Sequence, residues 1–201
     1  MKKTRKRNKL VAGVGINDVD ELTNYGKDKN GKEIRDPLYM RWKGLLSRCY
    51  LPSVYGHKVN ARYEFCSVDE RWFRLSKFNE WMKSHEDWEN MQIDKDLLVP
   101  GNTVYGPDTC CLLPKEVNAL LIDQVSKHSN LKGVAIRGNN FYAVVKVNGK
   151  FKYVKCATEE EAHELYKETR YSQILAATSL VKEQKIKDAL VKFAERKYGP
   201  S

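Results

Sequence analysis

Near the C-terminus, large aromatic side chains alternate with lysines in a pattern suited to holding a polyanion. Phe141 to Val147 and Lys150 to Cys156 read as two strands joined by Asn148-Gly149, a dipeptide that favours a two-residue hairpin because both positions tolerate positive φ. Such a turn fixes the register. Val147 then pairs with Lys150, Val145 with Lys152, Ala143 with Val154 and Phe141 with Cys156, which gives a largely apolar face for a following helix. The other face pairs Lys146 with Phe151, Val144 with Tyr153 and Tyr142 with Lys155. Lysines there can neutralise phosphates while aromatic rings meet sugars or base edges, and a sheet can enter a DNA groove in this way. The candidate DNA-binding residues are Tyr142, Lys146, Tyr153 and Lys155, with Arg137, Lys150 and Lys152 completing the basic set. An ordinary solvated face would account for the lysines but not for three large aromatics beside them. A last helix lying over this face is the other reading.

Charge points to the same partner. The chain of 201 residues has a formal net charge of +10, and its distribution is uneven. Residues 1–9 carry six cations, and residues 130–201 carry 14 basic against 8 acidic side chains. The segment between has 16 basic and 18 acidic, so the positive field belongs to the tail and the C-terminal third. Double-stranded DNA is the expected partner, because neutralised phosphates release counterions. A solubilising or targeting tail, or an acidic protein surface as partner, would use the same charge.

Other reactive side chains are scattered. The histidines His57, His85, His128 and His163 form no motif. The cysteines Cys49, Cys66, Cys110, Cys111 and Cys156 are odd in number, contain no CxxC pair and lack the spacing of a zinc motif, so buried free thiols are expected and zinc is not. No apolar run of about 18 residues spans a membrane and no signal-type segment follows the basic start, so the expected location is the cytoplasm.

The elements that must position these residues are legible in outline. Residues 10–35, rich in Gly, Asn, Asp and Lys, read as an irregular arm. Asp36-Pro37 opens a helix carrying Leu38, Trp42, Leu45, Leu46 and Cys49. Leu51 to Asn60 reads as a loop, Tyr63 to Val68 as a strand and about Ser76 to Ser84 as a helix in an aromatic-rich core segment. Met91 to Leu97 suits a strand, with Val104-Tyr105 and Cys110 to Leu113 returning beside it. Pro114 opens a short helix, and Ser126 to Asn130 reads as a linker. Thr158 with Glu161 forms a capping box for a helix to about Arg170, and a last helix runs from about Leu180 to Tyr198.

Two resemblances sharpen these expectations. Gly133-Val134, Phe141-Tyr142-Ala143, Gly149-Lys150, Thr158 to Ala162 and Tyr166 resemble the APETALA2/integrase-type DNA-binding domain over about residues 130–170. The glycine-phenylalanine step usual in that family is replaced here by Lys155-Cys156-Ala157. The resemblance implies a three-stranded sheet on a helix, laid in the major groove.

The stretch Tyr39 to Leu121 is similar to phage-encoded HNH-endonuclease-like proteins. Tyr39-Met40-Arg41-Trp42, Arg48-Cys49-Tyr50, Val68 to Trp72, Phe78 to Trp81, Ile93 to Asp96, Gly101-Asn102, Tyr105 to Cys110 and Pro114 to Asn118 carry the likeness in order. It implies a ββα site around one divalent ion, Mg²⁺ or another, with an acidic ligand, a histidine base and an asparagine ligand. Asp94 matches the acidic position, but Lys95 stands where the base belongs and Thr109 where the asparagine belongs. Asp94 and Lys95 are thus the catalytic candidates, with Asp94, Asn102 and Asn118 as metal ligands. A lysine serves as base only with a strongly lowered pKa.

The expected class is α+β, with a basic tail and arm at 1–35, an HNH-like domain at 36–125 and an APETALA2-like module with its C-terminal helix at 130–201. The expected function is DNA binding with single-metal cleavage by a phage or mobile-element endonuclease. The alternatives are a nuclease-dead DNA-binding protein and an inhibitor or host-interaction protein on the same scaffold.

Overall fold

A computed structural model describes residues 10–20, 23–51, 65–123, 129–147 and 149–199. The chain is mixed α and β, in small separate sheets. It divides into two compact units between Leu112 and Leu113. The loop expected at Leu51–Asn60 and the first part of the strand expected at Tyr63–Val68 lie mostly outside the described residues. Among the described residues no helix is long and apolar enough to cross a membrane.

In the first unit, Asp36 caps helix α1 (Pro37–Tyr50), its carboxylate accepting the Tyr39 N–H at 2.7 Å. Leu38, Trp42, Leu45 and Leu46 form its buried stripe. They meet Trp72 and helix α2 (Leu75–Lys83), which contributes Leu75, Phe78 and Met82. The Trp42 indole N–H donates to the Trp72 carbonyl at 2.7 Å, so the largest buried ring keeps its polar atom satisfied.

The arm before α1 is more regular than its composition suggests. Residues 24–27 and 33–35 form an antiparallel ribbon of β1 (Asn24–Lys27) and β2 (Glu33–Arg35). Upstream of it, Ile16 exchanges backbone bonds with Phe73 and Leu75, and the Asp18 carboxylate accepts from the Ser76 backbone at 2.9 Å. Gly15 permits this approach, since a Cβ there would stand 2.4 Å from Leu46 Cδ1.

Strand β3 (Ser67–Val68) is followed by β4 (Met91–Asp94), β5 (Val104–Tyr105) and β6 (Cys111–Pro114). β4 pairs with β6, the strand in which the chain passes from the first unit to the second. β5 does not return beside β4 as expected; it runs parallel to β3, with Val68 opposite Tyr105.

The second unit begins with α3 (Lys115–Leu120) and holds the sheet β7 (Val134–Arg137), β8 (Asn140–Val147) and β9 (Lys150–Cys156), in the order β7-β8-β9. Helix α4 (Glu159–Ala177) packs chiefly on the central strand, and α5 (Gln184–Tyr198) packs on α4. α4 runs seven residues past the expected Arg170, because Arg170, Ile174 and Ala177 continue its buried face.

The division into units falls earlier than the linker expected near 126–130, for an identifiable reason. Buried Arg170 donates to the carbonyls of Leu120 and Ile122 and lies against the rings of Tyr166 and Tyr198. Asp123 accepts from the Tyr198 hydroxyl, from Lys132 at 2.7 Å and from Lys197 at 3.2 Å. Residues 113–123 are thereby tied to α4 and α5.

Asp123 also sets an acid limit for this unit. Burial alone would raise its carboxyl, but the bonds from Lys132 and Tyr198 and the charge of Lys197 outweigh burial and hold it at about 2. A folded pKa below the unfolded one, about 4, contributes stability above that value, and the contribution disappears as pH falls toward 2. Asp123→Asn is expected to lower stability at neutral pH by about 1–2 kcal/mol and to lose less on acidification between pH 4 and 2. Melting temperatures across that range, unchanged by the substitution, would show that the cluster does not control acid stability.

Candidate nucleic-acid interface

The turn at Gly149, with φ +77°, sets the β8–β9 register, and it matches the pairing that the Asn148-Gly149 dipeptide predicts: Val147 opposite Lys150, Val144 opposite Tyr153, Tyr142 opposite Lys155. One face packs on α4 through Val134, Ala143 and Cys156, which meet Ala162. The other face carries Ala135 and Arg137 from β7, Asn140, Tyr142, Val144 and Lys146 from β8, and Phe151, Tyr153 and Lys155 from β9. Phe151 is 52% and Tyr153 47% exposed, far more than core aromatics, so this face is open.

Its side chains are organised. The Arg137 guanidinium lies 4.1 Å from the Tyr153 ring centroid and 5.6 Å from that of Tyr142, and Lys146 Nζ lies 5.8 Å from Phe151. Stacking on the rings holds the cations at the surface without neutralising them. The ion pairs at Asp123 and Glu164 are made by Lys132, Lys197 and Lys167, which leaves Arg137, Lys146 and Lys155 available to an anion.

Five of the seven expected DNA-binding residues share this face. The other two do not. Lys150 and Lys152 pair with Val147 and Val145 on the helix side, and they reach water because β9 is the edge strand. Asn140, opposite Arg137 on the open face, was not among the expected residues. The turn signal Gly138-Asn139 is what marks its position.

The segment expected to hold a metal is built differently. The Asp94 carboxylate accepts the backbone N–H groups of Asp96 at 2.9 Å and Leu97 at 2.7 Å, closing a tight turn. Burial pushes this carboxyl above its ordinary value, against the pull of those two amides. The Lys95 ammonium is buried, donating to the Asp96 carboxylate at 2.6 Å and the Asn102 carbonyl at 2.8 Å, with the Tyr105 ring 5.9 Å away. Asn102 donates its amide hydrogens to the carbonyls of Lys95 at 2.9 Å and Val104 at 2.7 Å, and accepts the Val104 N–H at 3.0 Å. Thr109 donates to the same Val104 carbonyl.

These donors do not fit a divalent ion. The Asn102 amide is committed to the backbone on both its nitrogen and its oxygen, and an ammonium already occupies the cationic place beside Asp96. Asn118 lies on α3. Among the described residues no three His, Cys, Asp or Glu side chains converge in a metal-binding arrangement.

His57 and His128 lie outside the described residues. Nδ1 of His85 bonds the Trp81 carbonyl, and Nδ1 of His163 bonds that of Lys132. The five cysteines are free, and burial raises the thiols of Cys49 to about 11 and Cys110 to about 12, which leaves them neutral.

No protein-family model, curated protein or solved structure matches this chain.

Proposed function

We propose that this chain is a duplex-DNA-binding protein that contacts DNA with the open face of β7-β8-β9 and does not hydrolyse it. The observation that carries the reading is the set of exposed, carboxylate-free cations stacked on Tyr142, Phe151 and Tyr153. Cations at Arg137, Lys146 and Lys155 suit phosphates, while the rings offer apolar edges to sugars and bases. The likeness of residues 130–170 to the APETALA2/integrase-type domain supports the same use of a sheet. The likeness of Tyr39 to Leu121 to HNH-endonuclease-like proteins is then one of scaffold, since Lys95 and Asn102 are engaged in holding a loop.

The test is a fluorescence-anisotropy titration of a short duplex at several salt concentrations. Arg137→Ala combined with Lys146→Ala and Lys155→Ala is expected to weaken binding roughly 10- to 100-fold and to reduce the slope of log K against log salt by about 2–3, nearly one per lost phosphate contact. Wild-type affinity in the triple variant would move the interface off this face.

A further inference from the structure

The β1–β2 ribbon stands apart from the core of its unit. Every residue of β1, and Glu33 and Ile34 of β2, is exposed, with Tyr25 at 55% and Ile34 at 45%. A two-stranded hairpin is marginal in water without a packed face. Here its base is tied to the start of α1: the Tyr25 hydroxyl donates to the Asp36 carboxylate at 3.0 Å, and the Asp36 N–H donates to the Thr23 carbonyl at 3.1 Å. Its tip is closed by Asp28, whose carboxylate accepts the N–H groups of Asn30 at 2.8 Å and Lys32 at 2.9 Å. The ribbon is thus pre-shaped at both ends while its sides face solvent.

The charge pattern says what these sides suit. Both carboxylates within residues 24–35 are consumed locally, Asp28 by the backbone of the turn and Glu33 by Arg35, whose Nε donates at 2.8 Å. Lys27, Lys29 and Lys32 are exposed around the tip; Lys27 stands opposite Glu33 and adds to Arg35 in lowering that carboxyl, while Lys29 and Lys32 form no ion pair among the described residues. Three exposed ammonium groups within six residues, against the single carboxylate of Asp28 in that span, suit a closely spaced row of anions, and a two-stranded ribbon is narrow enough for the major groove. Six more cations lie at positions 1–9 of the sequence.

We infer that the β1–β2 ribbon is a second duplex-DNA contact, in which Lys27, Lys29 and Lys32 engage backbone phosphates. This rests on the proposed DNA-binding function but not on the β7-β8-β9 face.

The test uses the full chain and the same duplex titration. Lys27→Ala with Lys29→Ala and Lys32→Ala is expected to reduce the salt slope by about 2–3 and to weaken binding roughly tenfold or more. The substituted side chains are exposed and unbonded, so the melting temperature should hold. A charge-matched control, Lys185→Ala with Lys187→Ala and Lys192→Ala on α5, is expected to change the slope much less. An unchanged slope in the ribbon variant, or an equal drop in both variants, overturns the ribbon contact and leaves the sheet-face reading standing. If the ribbon variant weakens binding and the Arg137, Lys146, Lys155 variant does not, the ribbon stands and the sheet face falls. A wild type that binds no duplex at any salt overturns both.

Discussion

Gly133→Ala is expected to unfold the C-terminal unit and with it to abolish the proposed DNA binding. Gly133 has φ +75°, and a Cβ there would lie 2.0–2.5 Å from three ring carbons of Tyr166. Two costs combine. The left-handed backbone costs an alanine about 1–2 kcal/mol. The collision adds about 1–3 kcal/mol or more, because the ring has nowhere to go. Tyr166 is 1% exposed, meets Tyr198 edge-on at 6.2 Å and lies beside Arg170. Gly133 cannot shift freely either, since its carbonyl accepts the Val144 N–H at 2.7 Å and so joins the sheet. The sum approaches the whole stability of a small unit. Gly138→Ala is the internal control: φ is +57°, but nothing lies within 4 Å of the added carbon, so only the backbone cost of about 1–2 kcal/mol applies. Thermal melts followed by circular dichroism would separate the two. Equal destabilisation by both substitutions would mean that the Tyr166 contact does not matter.

The same contrast between local and distant partners explains how far the sequence could be read. The β8–β9 register was legible because a two-residue turn leaves one pairing that keeps apolar side chains on one face. The starts of α1 and α4 were legible because Asp36 and Thr158 cap their own helices within three residues. Partners far along the chain were not legible. Nothing near Arg170 signals that it binds carbonyls 48 and 50 residues earlier, so the length of α4 is not legible in the sequence. β3 and β5 have two residues each, too few for a periodicity to assign their pairing. The ribbon at 24–35 leaves no period in the sequence because it buries almost nothing, and burial is what imprints a pattern on a strand. Asp94 stood out through a likeness of motif, whereas the three backbone bonds of Asn102 depend on a loop geometry that residue types do not announce.

Asn102 therefore provides the sharpest separation between a metal site and a loop clamp. As a clamp, its side chain joins Lys95 to Val104 through two donated bonds and one accepted bond, all to backbone. Asn102→Ala removes three bonds in a half-buried loop. At about 1 kcal/mol each, the first unit should lose roughly 2–3 kcal/mol. Asn102→Asp should be worse, because it exchanges the two donors for an oxygen aimed at the carbonyls of Lys95 and Val104. A metal site predicts the reverse, since a carboxylate binds a divalent ion more tightly than an amide, and Mg²⁺ should then raise the melting temperature of the aspartate variant. The expected result is destabilisation in the order Asp, Ala, wild type, with no rescue by Mg²⁺ and no effect of a chelator on the wild type. Plasmid incubated with wild-type protein and Mg²⁺ should stay supercoiled. Nicking that requires Mg²⁺, or recovery of Asn102→Asp on adding the ion, would restore the endonuclease reading. In that case the Asn102 side chain would have to give up its bonds to the Lys95 and Val104 backbone to reach the ion, and the buried Lys95 ammonium beside it would have to move, because a divalent ion and an ammonium at such short range repel strongly.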